Sequence, residues 1–140
     1  MYILDTDHLS LIQRNGREGK RIVNRLVAAD IEQLTVTVIT YEEQIRGRLS
    51  VLTKAKMLEQ QTRAYRGLYQ LSLDYQVLTV IPFTQAAGLK NQQLRKLYPR
   101  LGNMDLKIAA IAMENEATLL TRNASDFEKI EGLQVEDWSR

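Results

Sequence analysis

The segment covering residues 102–127 constrains the fold most, because it predicts a buried helix followed by a buried strand. Gly102 and Asn103 interrupt the chain, and the residues after them are apolar on almost every side of a helix, which indicates deep burial. Residues 117–121 form a short, mainly apolar stretch without charged residues, as is typical of a parallel strand that is covered on both faces. This order favours an α/β domain with a parallel sheet.

Two acidic residues of this segment are predicted to lie near one edge of that sheet. Asp105 falls in the first turn of the helix, where free N–H groups and the helix dipole favour a carboxylate. Asp126 follows the carboxyl end of the strand, together with the polar residues Thr121 and Asn123. Ligands bind beyond the carboxyl ends of the strands in open α/β sheets, so this edge is the predicted functional site.

The rest of the chain alternates between strand and helix patterns. Residues 49–75 predict one long helix or a helix-turn-helix, and Thr84 is expected to cap a helix that continues to Leu97. The length fits one domain, and we predict a single three-layer α/β/α domain over residues 1–140 with a central, mainly parallel sheet. Further short strands are predicted at residues 2–4, 34–39, 76–81 and 134–138.

Composition excludes several kinds of site. The chain has no cysteine, so disulfides and cysteine-ligated zinc or iron–sulfur centres are absent. Its single histidine argues against a zinc hydrolase built on imidazole ligands. No signal peptide or long apolar segment is visible, so we expect a soluble, cytoplasmic protein that does not enter membranes.

A third acid, Asp5, directly follows the first predicted strand and therefore lies at the same edge. Thr6 or Asp7 is expected to cap the next helix, and for Asp7 capping is favoured over a role in the site. His8 is expected on the polar surface rather than acting as a proton shuttle.

A fourth acid, Glu43, follows the strand predicted at residues 34–39. Thr40 and Glu43 have the spacing of a capping box, in which the glutamate would bond back to the Thr40 N–H. That role is compatible with a place in the site, since a helix start is also where a site-facing acid is expected. The neighbouring Glu42 is expected to face solvent or to lie outside the ligand set.

The four acids predict a metal site, because clustered carboxylates repel one another unless a cation lies between them. An all-oxygen ligand set favours Mg²⁺ or Mn²⁺ over zinc. Such an ion would activate water and neutralise the charge that develops on a phosphodiester. Basic residues between Arg14 and Arg25 form either a solvated helix face or a surface that follows phosphates.

Three motifs together resemble the PIN-domain nucleases, in particular the VapC-type toxins of bacterial toxin–antitoxin pairs. They are LDTD at residues 4–7, TYEEQIRG at residues 40–47 and the segment at residues 102–127. The family pattern has a threonine three residues before the middle acid and a glycine four residues after it, matching Thr40, Glu43 and Gly47. Gln44 stands where the family often has leucine. The likeness covers nearly the whole chain.

The resemblance implies a metal-dependent endoribonuclease that hydrolyses RNA, with tRNA among the candidate substrates. It also implies a homodimer held inactive by a small antitoxin protein. Asp5, Glu43 and Asp105 would bind Mg²⁺ or Mn²⁺ directly or through water, and Asp126 would be an additional acid of the same site. The residues expected to order the site through hydrogen bonds are Thr6, Thr121 and Asn123.

Two other functions are compatible with parts of the sequence. Asp5, Thr6 and Asp7 after a strand resemble the D-x-D opening of haloacid-dehalogenase-like phosphatases, but that motif expects threonine or valine where this chain has Leu9. The other alternative is a catalytically silent PIN-like module that binds RNA or protein.

Overall fold

The computed structural model describes residues 1–140, in which five short strands alternate with seven helices. The strands are β1 (Tyr2–Leu4), β2 (Thr35–Thr37), β3 (Thr79–Ile81), β4 (Thr118–Leu120) and β5 (Gln134–Glu136). The helices are α1 (Thr6–Arg14), α2 (Arg17–Ala28), α3 (Val38–Lys54), α4 (Leu58–Asp74), α5 (Gln85–Leu97), α6 (Asn103–Glu114) and α7 (Ala124–Phe127).

All paired strands run parallel, which confirms the predicted sheet type. β4 pairs with both β1 and β5, and β2 pairs with β3. β2 lies beside β1, but no hydrogen-bonded ladder joins the two. The strands therefore form one layer whose backbone hydrogen bonds are interrupted between β1 and β2.

Adjacent residues of the central strands belong to two different hydrophobic clusters, one on each face of this layer. Ile3 and Leu119 belong to the cluster that contains α5 and α6. Leu4 and Leu120 belong to the cluster that contains α1 and α2. Because successive side chains of a strand point to opposite faces, this division confirms the three-layer α/β/α architecture.

The predicted strand at residues 34–39 is shorter in the structure, and the predicted capping box is wrong. Thr37 already caps α3, since its side chain accepts a hydrogen bond from the Thr40 N–H at 3.3 Å. The β-branched residues that follow therefore form the first turn of α3 and not the end of a strand. Glu43 is the sixth residue of α3, too far along the helix to cap it.

Several other boundaries match the sequence pattern more closely. The chain leaves a helical conformation between α3 and α4, which selects helix-turn-helix for residues 49–75. Thr84 caps α5 by accepting from the Ala87 N–H at 3.2 Å, as predicted. The strands predicted at residues 76–81 and 117–121 are three residues each, because only those positions pair with a neighbour.

The chain beyond β5 packs back onto the domain. Trp138 is buried, and its ring lies 4.8 Å from that of Tyr2, which confirms that this tryptophan holds the end of the chain down. The strand predicted to reach residue 138 ends at Glu136. None of the helices combines the length and the hydrophobicity that a transmembrane segment needs.

Candidate active site

Three of the predicted acids face one cleft at the carboxyl edge of the sheet. Asp5 directly follows β1, Glu43 is carried by the helix that follows β2, and Asp105 lies in the first turn of α6. Their side chains line a cavity of about 290 Å³. Its other polar lining residues are Thr6, Asp7 and Asn123.

Asp5 is the most deeply buried of these acids, with 7% of its surface exposed. Its Oδ1 atom accepts a hydrogen bond from the His8 N–H at 2.7 Å and so caps α1. The expectation that Thr6 or Asp7 caps this helix is therefore wrong. The Thr121 hydroxyl also donates to the Asp5 carboxylate, so the side chain is held from two elements.

Burial raises the pKa of Asp5 from its ordinary value of 3.8 to about 6, and the charges of Asp7 and Asp105 add to the effect. The hydrogen bonds from Thr121 and His8 oppose this rise without cancelling it. The pKa of Asp105 is raised by burial first, and then by the charges of Glu43 and Asp126. The site thus holds carboxylates whose ionisation is unfavourable until a cation compensates it.

A hydroxyl pair positions Glu43 in the cleft. The Thr6 hydroxyl donates to Glu43 Oε1 at 2.6 Å and lies 3.0 Å from Oγ1 of the buried Thr40. Glu42 instead forms an ion pair with Arg46 at 2.6 Å on the outer side of the helix. Of the two adjacent glutamates, only Glu43 lines the cleft.

Asp126 stands behind the other acids and does not line the cleft. Its Oδ2 atom accepts from the Asn123 side chain at 3.1 Å, and Lys129 Nζ lies 3.7 Å from its Oδ1 atom. The Thr121 hydroxyl oxygen accepts from the Asn123 N–H at 2.9 Å. Asn123 is therefore hydrogen-bonded to both Asp126 and Thr121, and it also lines the cleft.

His8 was predicted on the polar surface, and this prediction is wrong because the chain after β5 covers it. The side chain is fully buried, and Nε2 accepts from the Trp138 N–H at 3.2 Å. Burial lowers the pKa of His8, so the neutral imidazole carries its proton on Nδ1. That atom has no hydrogen-bond partner and lies 3.8 Å from Asp5 Oδ1. The one sequence signal was its position three residues after Asp5.

Sequence analysis also missed the role of Arg122. Its guanidinium donates to both carboxylate oxygens of Asp7, at 2.6 and 2.9 Å, and to Glu18 Oε2 at 2.7 Å. These hydrogen bonds raise the pKa of Arg122 and fix the charge of the guanidinium. Asp7 is therefore neutralised by an arginine and does not act as the predicted helix cap.

The residues present fit a hard divalent cation. The ligand atoms of Asp5, Asp7 and His8 lie within 4.8 Å of one another, but Arg122 occupies both oxygens of Asp7. Glu43 and Asp105 form no ion pair, and they line the same cleft as Asp5. An all-oxygen set of this kind suits a hard divalent cation.

Comparison with known proteins identifies the family. The family model described as PIN domain matches residues 2–133. This chain belongs to the PIN-domain family. The PIN domain is 30% identical over 145 residues to Ribonuclease VapC1 of Haemophilus influenzae (strain R2866), covering 100% of this chain and 99% of that protein. The predicted family resemblance is confirmed.

Solved structures agree over the whole PIN domain. DNA-bound VapBC from Salmonella typhimurium superposes with a TM-score of 0.76 and 25% identity, covering 98% of this chain and 97% of that chain. VapBC-1 from nontypeable Haemophilus influenzae gives a TM-score of 0.73 and 26% identity, covering 99% and 98%. Both confirm the predicted fold class.

The pKa of Asp5 makes the stability of the metal-free PIN domain depend on pH. Since the folded pKa of about 6 exceeds 3.8, the folded state binds more protons between these values, and the free energy of unfolding falls as pH rises. The full fall is about 3 kcal/mol. We predict that Asp5→Asn, which keeps the oxygen that accepts from the His8 N–H, removes the part of this fall that is due to Asp5 in denaturation measured from pH 4 to 7 with chelator. Asp30→Asn, at an exposed position, is the matched control.

If wild type and Asp5→Asn lose stability in parallel over this range, the burial of Asp5 does not control it. If Asp30→Asn reduces the pH dependence of the free energy of unfolding as much as Asp5→Asn does, that dependence arises from net charge and not from the buried Asp5.

Proposed function

We propose that this PIN domain, acting as one unit over residues 1–140, is a metal-dependent endoribonuclease that hydrolyses RNA phosphodiester bonds. The observation that carries the proposal is the cleft lined by Asp5, Glu43 and Asp105, three acids that form no ion pair with a lysine or arginine. The full-length similarity to a protein named as a ribonuclease supports RNA as the substrate class. Mg²⁺ or Mn²⁺ is the proposed cofactor.

Asp5, Glu43 and Asp105 would hold the cation, directly or through water, and Asp126 would add charge from behind. When bound, the ion would acidify a water molecule and neutralise charge on the phosphodiester. The Thr6 hydroxyl holds Oε1 of Glu43 and leaves Oε2 without a hydrogen-bond partner in the protein, so that this oxygen is free to bind a cation. In the proposed site, Thr121 orients Asp5 and Asn123 orients Asp126.

The phosphatase alternative loses support because Asp7, the second acid of its D-x-D pattern, is engaged through both oxygens by Arg122. A carboxylate that forms an ion pair through both oxygens is poorly placed to act as a general acid. The silent-module alternative does not account for three acids retained in one cleft without a compensating charge.

The test is cleavage of total cellular RNA by the isolated domain. We predict cleavage with Mg²⁺ or Mn²⁺, its loss when chelator exceeds the metal, and recovery when Mg²⁺ is added back. Sequencing of the cut ends would identify the substrate, with tRNA among the candidates. Undiminished cleavage in chelator would contradict the metal role, and turnover of a phosphomonoester without RNA cleavage would support the phosphatase instead.

We further infer that the domain is the toxin of a toxin–antitoxin pair, expected in the cytoplasm and as a homodimer. A solved complex from Klebsiella pneumoniae described as toxin–antitoxin has a TM-score of 0.66 and 25% identity to this chain. A small antitoxin would place a basic side chain in the acidic cleft and an apolar helix against α3 and α4. On α4, Tyr65 and Tyr69 are 58% and 66% exposed and offer surface for such contacts.

A further inference from the structure

We propose that a basic groove, defined here by Arg14, Arg48, Lys54 and Arg63, binds the phosphates of single-stranded RNA on one side of the cleavage site. The inference rests on the proposed function, because it assigns a path for RNA that leads out of the same cleft. The groove runs along α3, between that helix and α1 at one end and α4 at the other.

The groove is continuous with the acidic cleft. A second cavity of about 460 Å³ adjoins the cleft at Thr6 and Glu43, which line both. A third cavity of about 420 Å³ adjoins the second at Arg48 and Val51, which again line both. From Glu43 to Lys54 the path follows eleven residues of α3, which is about 16 Å at 1.5 Å per residue. A few nucleotides of one strand can lie along a path of this length.

The charge of the lining changes sign along this path. Beyond Glu43, neither of the two cavities is lined by an aspartate or a glutamate. The four cations of the basic groove form no ion pair within the protein, whereas Arg46 is paired with Glu42 and Arg122 with Asp7. Cations left without partners in the folded chain are the ones that phosphates can neutralise.

The shape and polarity of the groove favour one strand of nucleic acid over an apolar helix. Gly47 leaves its floor open, since an added Cβ would contact nothing within 4 Å. Gly67 lets Arg48 lie against α4, where an added Cβ would be 3.2 Å from Arg48 Nη1. Val51 is the one hydrophobic residue that lines the second cavity. Cavities of this volume hold drug-sized groups, so a few nucleotides fit where a duplex does not.

The first experiment measures binding of a fluorescently labelled, single-stranded RNA of twelve nucleotides, with excess chelator so that no cleavage intervenes. We expect Arg48→Gln and Arg63→Gln each to weaken binding about fivefold to tenfold. Each should also reduce the slope of log affinity against log salt by about 0.7, the value for one phosphate contact on a single strand.

Two variants with the same charge change serve as matched controls. Arg46→Gln lies on α3 but belongs to the ion pair with Glu42, and Arg66→Gln lies on α4 outside the groove. Both should bind within about twofold of wild type with an unchanged slope. Gly47→Gln narrows the groove without a charge change and should weaken RNA binding, while glutamine, a better helix former than glycine, preserves folding.

The second experiment compares substrates. Arg48→Gln and Arg63→Gln should both lower kcat/KM for the twelve-nucleotide RNA. Arg63→Gln should not lower it for a dinucleotide, which cannot reach from the cleft to Arg63. Equal RNA binding by groove and control variants would overturn the proposal. Loss of affinity for an acidic protein partner but not for RNA would overturn it too and assign the groove to that partner. If wild type cleaves no RNA while the groove variants still bind it more weakly, the proposed function fails and the groove assignment stands.

Discussion

Replacing Glu43 by glutamine is expected to lower the rate of RNA cleavage at least about 100-fold, which corresponds to about 2.7 kcal/mol at the barrier. The change removes one negative charge from the cleft, while the amide oxygen of the new side chain can still accept from the Thr6 hydroxyl. Because Glu43 is the sixth residue of α3 and Thr37 provides the cap, the change does not disturb the helix start. The free energy of unfolding should not fall, since the lost charge is one that repels Asp105. Loss of activity would then report on the site and not on the helix.

The matched control for this variant is the adjacent residue. Glu42→Gln removes the same charge but breaks only an exposed ion pair with Arg46, so cleavage should change less than about tenfold. Single-turnover cleavage of a defined RNA measures both variants. If Glu42→Gln abolishes cleavage and Glu43→Gln does not, the register of the middle acid is wrong by one residue. If both retain activity, neither glutamate belongs to the site.

Replacing Asp105 by asparagine is expected to have a similarly large effect on cleavage, about 100-fold or more, and two opposite effects on stability. Since the pKa of Asp105 is raised in the folded state, its ionised form destabilises the metal-free protein above the ordinary pKa. The neutral variant should therefore melt at a higher temperature at pH 7 in chelator. With Mg²⁺ at 100 times its Kd, wild type should gain about 2.7 kcal/mol, or on the order of 10 °C in Tm.

This gain should shrink in Asp105→Asn, because one of the proposed ligands is lost. Glu114→Gln, at the exposed end of the same helix, is the control and should keep the full gain. Differential scanning fluorimetry with and without Mg²⁺ measures all three proteins. An equal rise in Tm for wild type and Asp105→Asn would show that the ion binds elsewhere.

The sequence predicted well those parts of the fold in which nearby residues alone determine whether a side chain is buried or exposed. α6 packs between the sheet and α5 and is apolar on nearly all sides. Its burial can therefore be predicted from its own residues, without knowing which elements cover it. Asp5 and Asp105 were predicted for a similar reason, since each follows or begins an element whose end fixes its position. Local sequence was sufficient for these residues.

The parts that were predicted wrongly depend on distant residues or on a choice between two local signals. The β-branched run at residues 34–39 favoured one strand, but a cap at Thr37 makes its last residues the first turn of α3. His8 is buried only because Trp138, 130 residues away along the chain, returns to contact it. Arg122 forms its ion pair with Asp7 across a separation of 115 residues. No pattern over a short window predicts the last two contacts.

The interruption between β1 and β2 has a consequence for the acidic cleft. Asp5 is attached to the half-sheet that contains β1, and Glu43 to the half-sheet that contains β2. No backbone hydrogen bonds join β1 to β2. Side-chain packing and the hydrogen bond from Thr6 to Glu43 therefore set the spacing of the two acids. A cation held by both acids would therefore bridge two half-sheets that no backbone hydrogen bond joins.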